Sequence, residues 1–134
     1  MNKAHKVVLG FFVVIAVIIA ILFFISTKQT KTYYECEENI LLPKTLVLYY
    51  GDTCPHCKIV DEFVEKNNIS AKINITHKEV FRIENNAKEL ILVGNSCKLP
   101  KDYMGAVPLL YYKNKAYIGD VNIIQFFKDE LGVQ

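Results

Sequence analysis

Leu46-Val47-Leu48-Tyr49-Tyr50-Gly51-Asp52-Thr53-Cys54-Pro55-His56-Cys57-Lys58-Ile59-Val60-Asp61-Glu62-Phe63-Val64 joins two different periodicities through a pair of thiols. Residues 46–50 are β-branched, aliphatic or aromatic and read as a buried strand. From Pro55 to Asn67 the pattern becomes helical. Ile59, Val60, Phe63 and Val64 share one face, and Lys58, Asp61, Glu62, Glu65 and Lys66 occupy the other. Pro55 falls in the first turn, where its missing N–H costs nothing. Cys54 then lies at a helix N-terminus, where free backbone N–H groups and the positive end of the dipole favour a thiolate. Cys57 falls one turn later. An exposed nucleophilic thiol with a second thiol beneath it suits thiol–disulfide exchange.

Other chemistries fit this spacing less well. A Cys-x-x-Cys pair is half a zinc site, but the other cysteines, Cys36 and Cys97, are isolated, and His5 and His77 are distant in sequence. No metal and no external cofactor is expected. A purely structural bridge is disfavoured, because closing so short a loop constrains the unfolded chain little.

Outside this stretch, Val7 to Ile25 is uncharged and almost wholly apolar, interrupted only by Gly10. As a helix it would reach about the 30 Å of a bilayer core. Lys3 and Lys6 precede it, and no small-x-small cleavage site follows, so an uncleaved transmembrane anchor is expected rather than a signal peptide. All 14 acidic residues follow Ile25. Four of the 16 basic residues, Lys3, Lys6, Lys28 and Lys31, flank the run, which leaves 12 basic against 14 acidic residues, a net of −2. The overall charge of +2 thus describes the flanks of the apolar run, and no nucleic-acid partner is implied. The expected organisation is an anchor and linker over 1–32 and one small domain over 33–134, monomeric and placed extracytoplasmically.

Within the domain, alternation over Ile69 to Ile75 predicts a strand, and Lys78 to Val93 predicts a helix with Gly94 as its C-terminal cap. Asn95 to Ala106 reads as a loop. Pro108–Tyr112 and Ala116–Ile118 are predicted strands of a hairpin turning at Lys113-Asn114-Lys115. Asp120 is expected to cap a last helix whose inner face carries Val121, Ile124, Phe127 and Leu131, with Gly132 ending it.

This order, the Cys54-Pro55-His56-Cys57 motif opening the first domain helix and a Val107-Pro108 before the third strand resemble the thioredoxin superfamily. The Cys-Pro-His-Cys motif resembles DsbA-type oxidants, and the small size resembles glutaredoxins. The resemblance implies an α/β, three-layer βαβαββα fold following the anchor. It also implies a cis Pro108 facing the two cysteines, with Val107 and Pro108 holding an extended substrate. There are three departures. Leu48 stands where the family carries a buried carboxylate, the usual tryptophan before the motif is absent, and the loop before Val107 is long and holds Cys97. Proton handling at Cys57 would then fall to water, Lys58 or another neighbour.

The functional expectation is a thiol–disulfide oxidoreductase acting on protein thiols and disulfides with an unidentified redox partner. Cys54 and Cys57 form its redox-active disulfide and His56 tunes Cys54, which favours the oxidant direction. A glutathione-dependent glutaredoxin-like enzyme and a non-catalytic binding or metal-transfer module are the alternatives. Cys36 and Cys97 are expected to form a second, structural disulfide. Free thiols, an intermolecular bridge or a redox relay stay open for them.

Overall fold

A computed structural model describes the backbone of residues 3–26 and 32–134, and the side chains of 10–22 and 32–134. The chain divides into two compact units, Met1–Lys31 and Thr32–Gln134. The first contains helix α1, Lys3–Ser26. Among the described residues no helix is long and apolar enough to cross a membrane. This overturns the expected transmembrane helix, and with it the single-pass membrane location and the extracytoplasmic placement of the domain.

The second unit is mixed α/β. Its elements are β1 (Tyr34–Glu35), β2 (Val47–Tyr50), α2 (Pro55–Lys66), β3 (Thr76–Glu79), α3 (Glu84–Ser96), β4 (Leu109–Tyr112), β5 (Lys115–Ile118) and α4 (Asp120–Leu131). The strands form one sheet in the order β1-β5-β4-β2-β3. β2 runs parallel to β3 and antiparallel to β4, while β5 is antiparallel to both β4 and β1. Strand residues alternate between two cores. Leu46, Leu48 and Leu110 pack with Val60, Val64, Ile123 and Phe127 of α2 and α4. Val47, Tyr49, Leu109 and Tyr111 pack with Leu90 and Val93 of α3.

Several elements differ from the sequence expectation. The alternation at 69–75 is not a strand. Asn68 adopts a left-handed conformation (φ 50°) and Ile69–Ala71 form one 3₁₀ turn. That turn buries Ile69 completely and leaves Ala71 exposed. The strand itself is the polar Thr76–Glu79 at the sheet edge, where half-burial requires no apolar alternation. α3 starts at Glu84 rather than at Lys78, because the Glu79 carboxylate accepts the N–H groups of Phe81 (2.7 Å) and Arg82 (2.8 Å) and turns the chain first. Gly94 is no cap. It lies inside α3, where a Cβ would come 2.6 Å from Met104 Sδ. β1 was not foreseen. The hairpin turns on Lys113 (φ 46°) and Asn114 (φ 57°), a primed two-residue turn, and Lys115 already belongs to β5.

At α4 the N-cap is Gly119, not Asp120. The buried face is Ile123, Phe126 and Phe127, whereas Val121 is 73% exposed. Gly132 ends the helix in the left-handed region (φ 63°), its N–H bonding to Lys128 O at 2.9 Å. This register has a direct test in urea unfolding. Ile123→Ala should lower stability by about 2–4 kcal/mol, whereas Val121→Ala should change it by about 0.5 kcal/mol or less.

Candidate active site

β2 delivers the chain to the site. Its Tyr49 is fully buried and donates its hydroxyl to Glu89 Oε1 at 2.5 Å, and Lys78 Nζ reaches the same carboxylate at 2.6 Å. Burial, reinforced by the Glu89 carboxylate, holds the Tyr49 phenol well above its ordinary pKa. The pairing fixes β2 and β3 against α3. After Tyr50 the backbone passes under Phe81, and a Cβ on Gly51 would overlap that ring. Cys54 N–H then closes a turn onto Gly51 O at 3.1 Å.

Cys54 is the N-cap of α2, with extended backbone (φ −85°, ψ 114°), and Pro55 opens the helix. The Cys57 N–H donates to Cys54 Sγ at 3.1 Å. Cys54 is half-buried and Cys57 is buried, so only the first sulfur of the pair is accessible. The two are bridged, with Cα atoms 5.2 Å apart. Val107 O lies 3.7 Å from Cys54 Sγ, and the Val107–Pro108 peptide is cis with Pro108 buried. The structure thus brings Cys54, Cys57, Val107 and Pro108 together.

His56 stands differently from the expectation that its ring meets the Cys54 sulfur. It is 68% exposed, and its Nδ1 lies 3.1 Å from Asp120 Oδ1. The polar group that meets Cys54 Sγ from α2 is the Cys57 N–H. Asp120, expected as a helix cap, is a neighbour of the site through His56. Asp52, two residues before Cys54, is paired with the Arg82 guanidinium. Lys58 is 78% exposed and turned to Glu62 at 3.8 Å.

Cys36 and Cys97 are bridged to each other. The bridge joins the segment after β1 to the end of α3, and three contacts accompany it. Cys36 N–H bonds Asn114 O at 2.9 Å, Glu37 N–H bonds Ser96 O at 2.8 Å, and Lys98 Nζ pairs with Glu37 at 2.6 Å. The Lys98 ammonium holds the Glu37 carboxyl below its ordinary value. Among the described residues no group of three His, Cys, Asp or Glu side chains is placed to hold a metal ion.

No protein-family model matches this chain, and no curated protein or solved structure matches it either.

The 36–97 bridge closes a long loop, so its loss should act mainly by freeing the unfolded chain. The Cys36→Ala/Cys97→Ala double variant should lose about 4 kcal/mol in urea unfolding. Its Cys54–Cys57 pair should still form and reduce as in the parent, read by thiol counting under a reductant titration. A loss well below about 1 kcal/mol would show that the bridge staples nothing.

Proposed function

We propose that this chain is a protein thiol–disulfide oxidoreductase of the thioredoxin kind, working through Cys54 and Cys57. The observation that carries the reading is the asymmetry of the pair. Cys54 Sγ sits at the start of a helix and accepts a backbone N–H, while Cys57 is buried one turn behind it. In the oxidising direction a substrate thiolate attacks Cys54 Sγ. The Cys54–Cys57 bond breaks, Cys57 leaves with the electron pair, and a substrate–Cys54 mixed disulfide forms. A second substrate thiolate then attacks the substrate sulfur of that bond and expels Cys54. Two electrons have passed from the substrate dithiol to the pair, and no cofactor takes part. Val107 and Pro108, beside Cys54, are the residues against which an extended substrate would lie.

Support for the oxidant direction comes from the donors at Cys54. A backbone N–H and the helix N-terminus stabilise a thiolate, hence the reduced form, and a stabilised reduced form makes a stronger oxidant. His56 contributes less directly than its place in the motif implied, since its ring is bound to Asp120.

Two measurements test this. Alkylation of reduced protein at mildly acidic pH should label Cys54 well before Cys57, and Cys57→Ser should accumulate mixed disulfides with a dithiol protein while Cys54→Ser should not. Equal labelling, or trapping by the Cys54 variant alone, would reverse the roles. Separately, Asp120→Ala removes a carboxylate near the site and frees the His56 ring. The pair should become more oxidising by roughly 20 mV, what an exposed ion pair of up to about 1 kcal/mol is worth in a two-electron couple. An unchanged potential would mean that the His56–Asp120 contact has no bearing on the sulfur chemistry.

A further inference from the structure

Exchange at this site leaves one proton to be handled in a buried place. When the Cys54–Cys57 bond opens, Cys57 leaves as a thiolate and must gain a proton. When it closes again, the Cys57 thiol must lose that proton before its sulfur attacks Cys54. Burial disfavours the thiolate, so both directions need a proton partner close to Cys57. Leu48 is apolar, and Lys58 is turned outward to Glu62.

Asp61 is placed differently. It lies four residues beyond Cys57 on α2, a spacing that sets Cβ atoms about 5–6 Å apart on one helix face. Helical side chains lean toward the N-terminus, which carries the Asp61 carboxyl back toward Cys57. The helix turns Asp61 inward enough to be half-buried, unlike its neighbour Glu62. Two titratable groups act on it, Glu65 from the same helix and His77 from β3, and the His77 ring is met edge-on at 6.1 Å by the Tyr50 ring at the end of β2. Burial holds the Asp61 carboxyl above its ordinary value, with Glu65 adding to the effect and His77 opposing it. A carboxyl moved in that direction is a better match for a thiol proton.

We propose that Asp61 exchanges the proton of Cys57, directly or through one water, and that the exposed imidazole of His77 hands it on to solvent. The proposal rests on the exchange reading above. On bond opening the Asp61 carboxylic acid gives its proton to the Cys57 thiolate and becomes a carboxylate. On bond closing the Asp61 carboxylate takes the proton as Cys57 attacks, the S–S bond forms, and Cys54's other sulfur partner leaves as a thiolate.

The test follows closing in a single turnover. Reduced full-length chain is mixed with the aromatic disulfide of nitrothiobenzoate. The first chromophore released marks attack by Cys54, and the second marks attack by Cys57 on the mixed disulfide. The second phase is read from mildly acidic to mildly alkaline pH. In Asp61→Asn it should slow about a hundredfold at the acid end and rise with hydroxide to meet the parent at the alkaline end. Asp61→Glu should recover most of the rate. An Asp61 that acts only through its charge gives the opposite sign, because removing a negative charge favours the Cys57 thiolate. An Asp61→Asn variant as fast as the parent, or faster, therefore overturns the proposal, as does a slow variant that Asp61→Glu does not rescue. A parent that releases only one chromophore per chain overturns the exchange reading itself. The Asn variant should fold. A carboxyl whose folded pKa is raised contributes stability at acid pH and loses it as pH rises through that value, so Asp61→Asn should melt no earlier than the parent at neutral pH.

Discussion

β2 is hydrogen-bonded to β3 on one side and β4 on the other, and its side chains are buried alternately beneath α2 with α4 and beneath α3. A strand so enclosed cannot shift by one residue without moving Val47 and Tyr49 to the face of Leu48. The Tyr49–Glu89–Lys78 contact adds a polar tie to the α3 side. The position at which the chain leaves the sheet is therefore set by core packing. Gly51 follows, with no room for a side chain beneath Phe81, and the turn places Cys54 at the surface. The location of the Cys54 sulfur follows from which residues of 46–50 are buried.

The charges around that sulfur are arranged in pairs. Asp52, two residues before Cys54, is held by Arg82, and Asp120 at the head of α4 is held by His56. A free carboxylate beside Cys54 would oppose a thiolate. With both engaged, the N–H of Cys57 is the donor directed at the sulfur. The His56 ring is thus engaged by Asp120 rather than by the Cys54 sulfur.

The parts of the fold legible in the sequence were those in which one residue type has one physical reason to be present. Four apolar residues before a Cys-Pro-x-Cys mark β2 and the start of α2, and Gly132 marks the left-handed end of α4. The parts misread were those in which tertiary packing supplies the periodicity. Ile69 and Ile73 alternate because a 3₁₀ turn rests them on the α2–α4 core, while the real edge strand is polar. Two-residue β1 is too short to show any pattern, and it exists because β5 offers it an edge. On α4 the apolar residues at 121, 123, 124, 126 and 127 allow more than one inner face, and packing against α2 chose 123, 126 and 127. Val107 and Pro108 were placed beside Cys54 through a family resemblance. Asp120 reads in the sequence as a helix cap, because its contact with His56 depends on how α4 meets α2.

The two bridges occupy opposite ends of the scale of loop closure. Cys54–Cys57 spans a separation of 3 residues and Cys36–Cys97 one of 61. In the chain-entropy picture the longer closure is worth about 2–3 kcal/mol more to the folded state. Opening the short bridge costs the fold correspondingly little, so a domain can cycle it without approaching its unfolding threshold. Opening the long one would give up that larger closure, and Cys97 lies buried in the α3-side core with Leu90, Val93 and Leu99. The chain thus keeps the bridge that closes a short loop and the bridge that ties the segment after β1 to α3 in different parts of the structure.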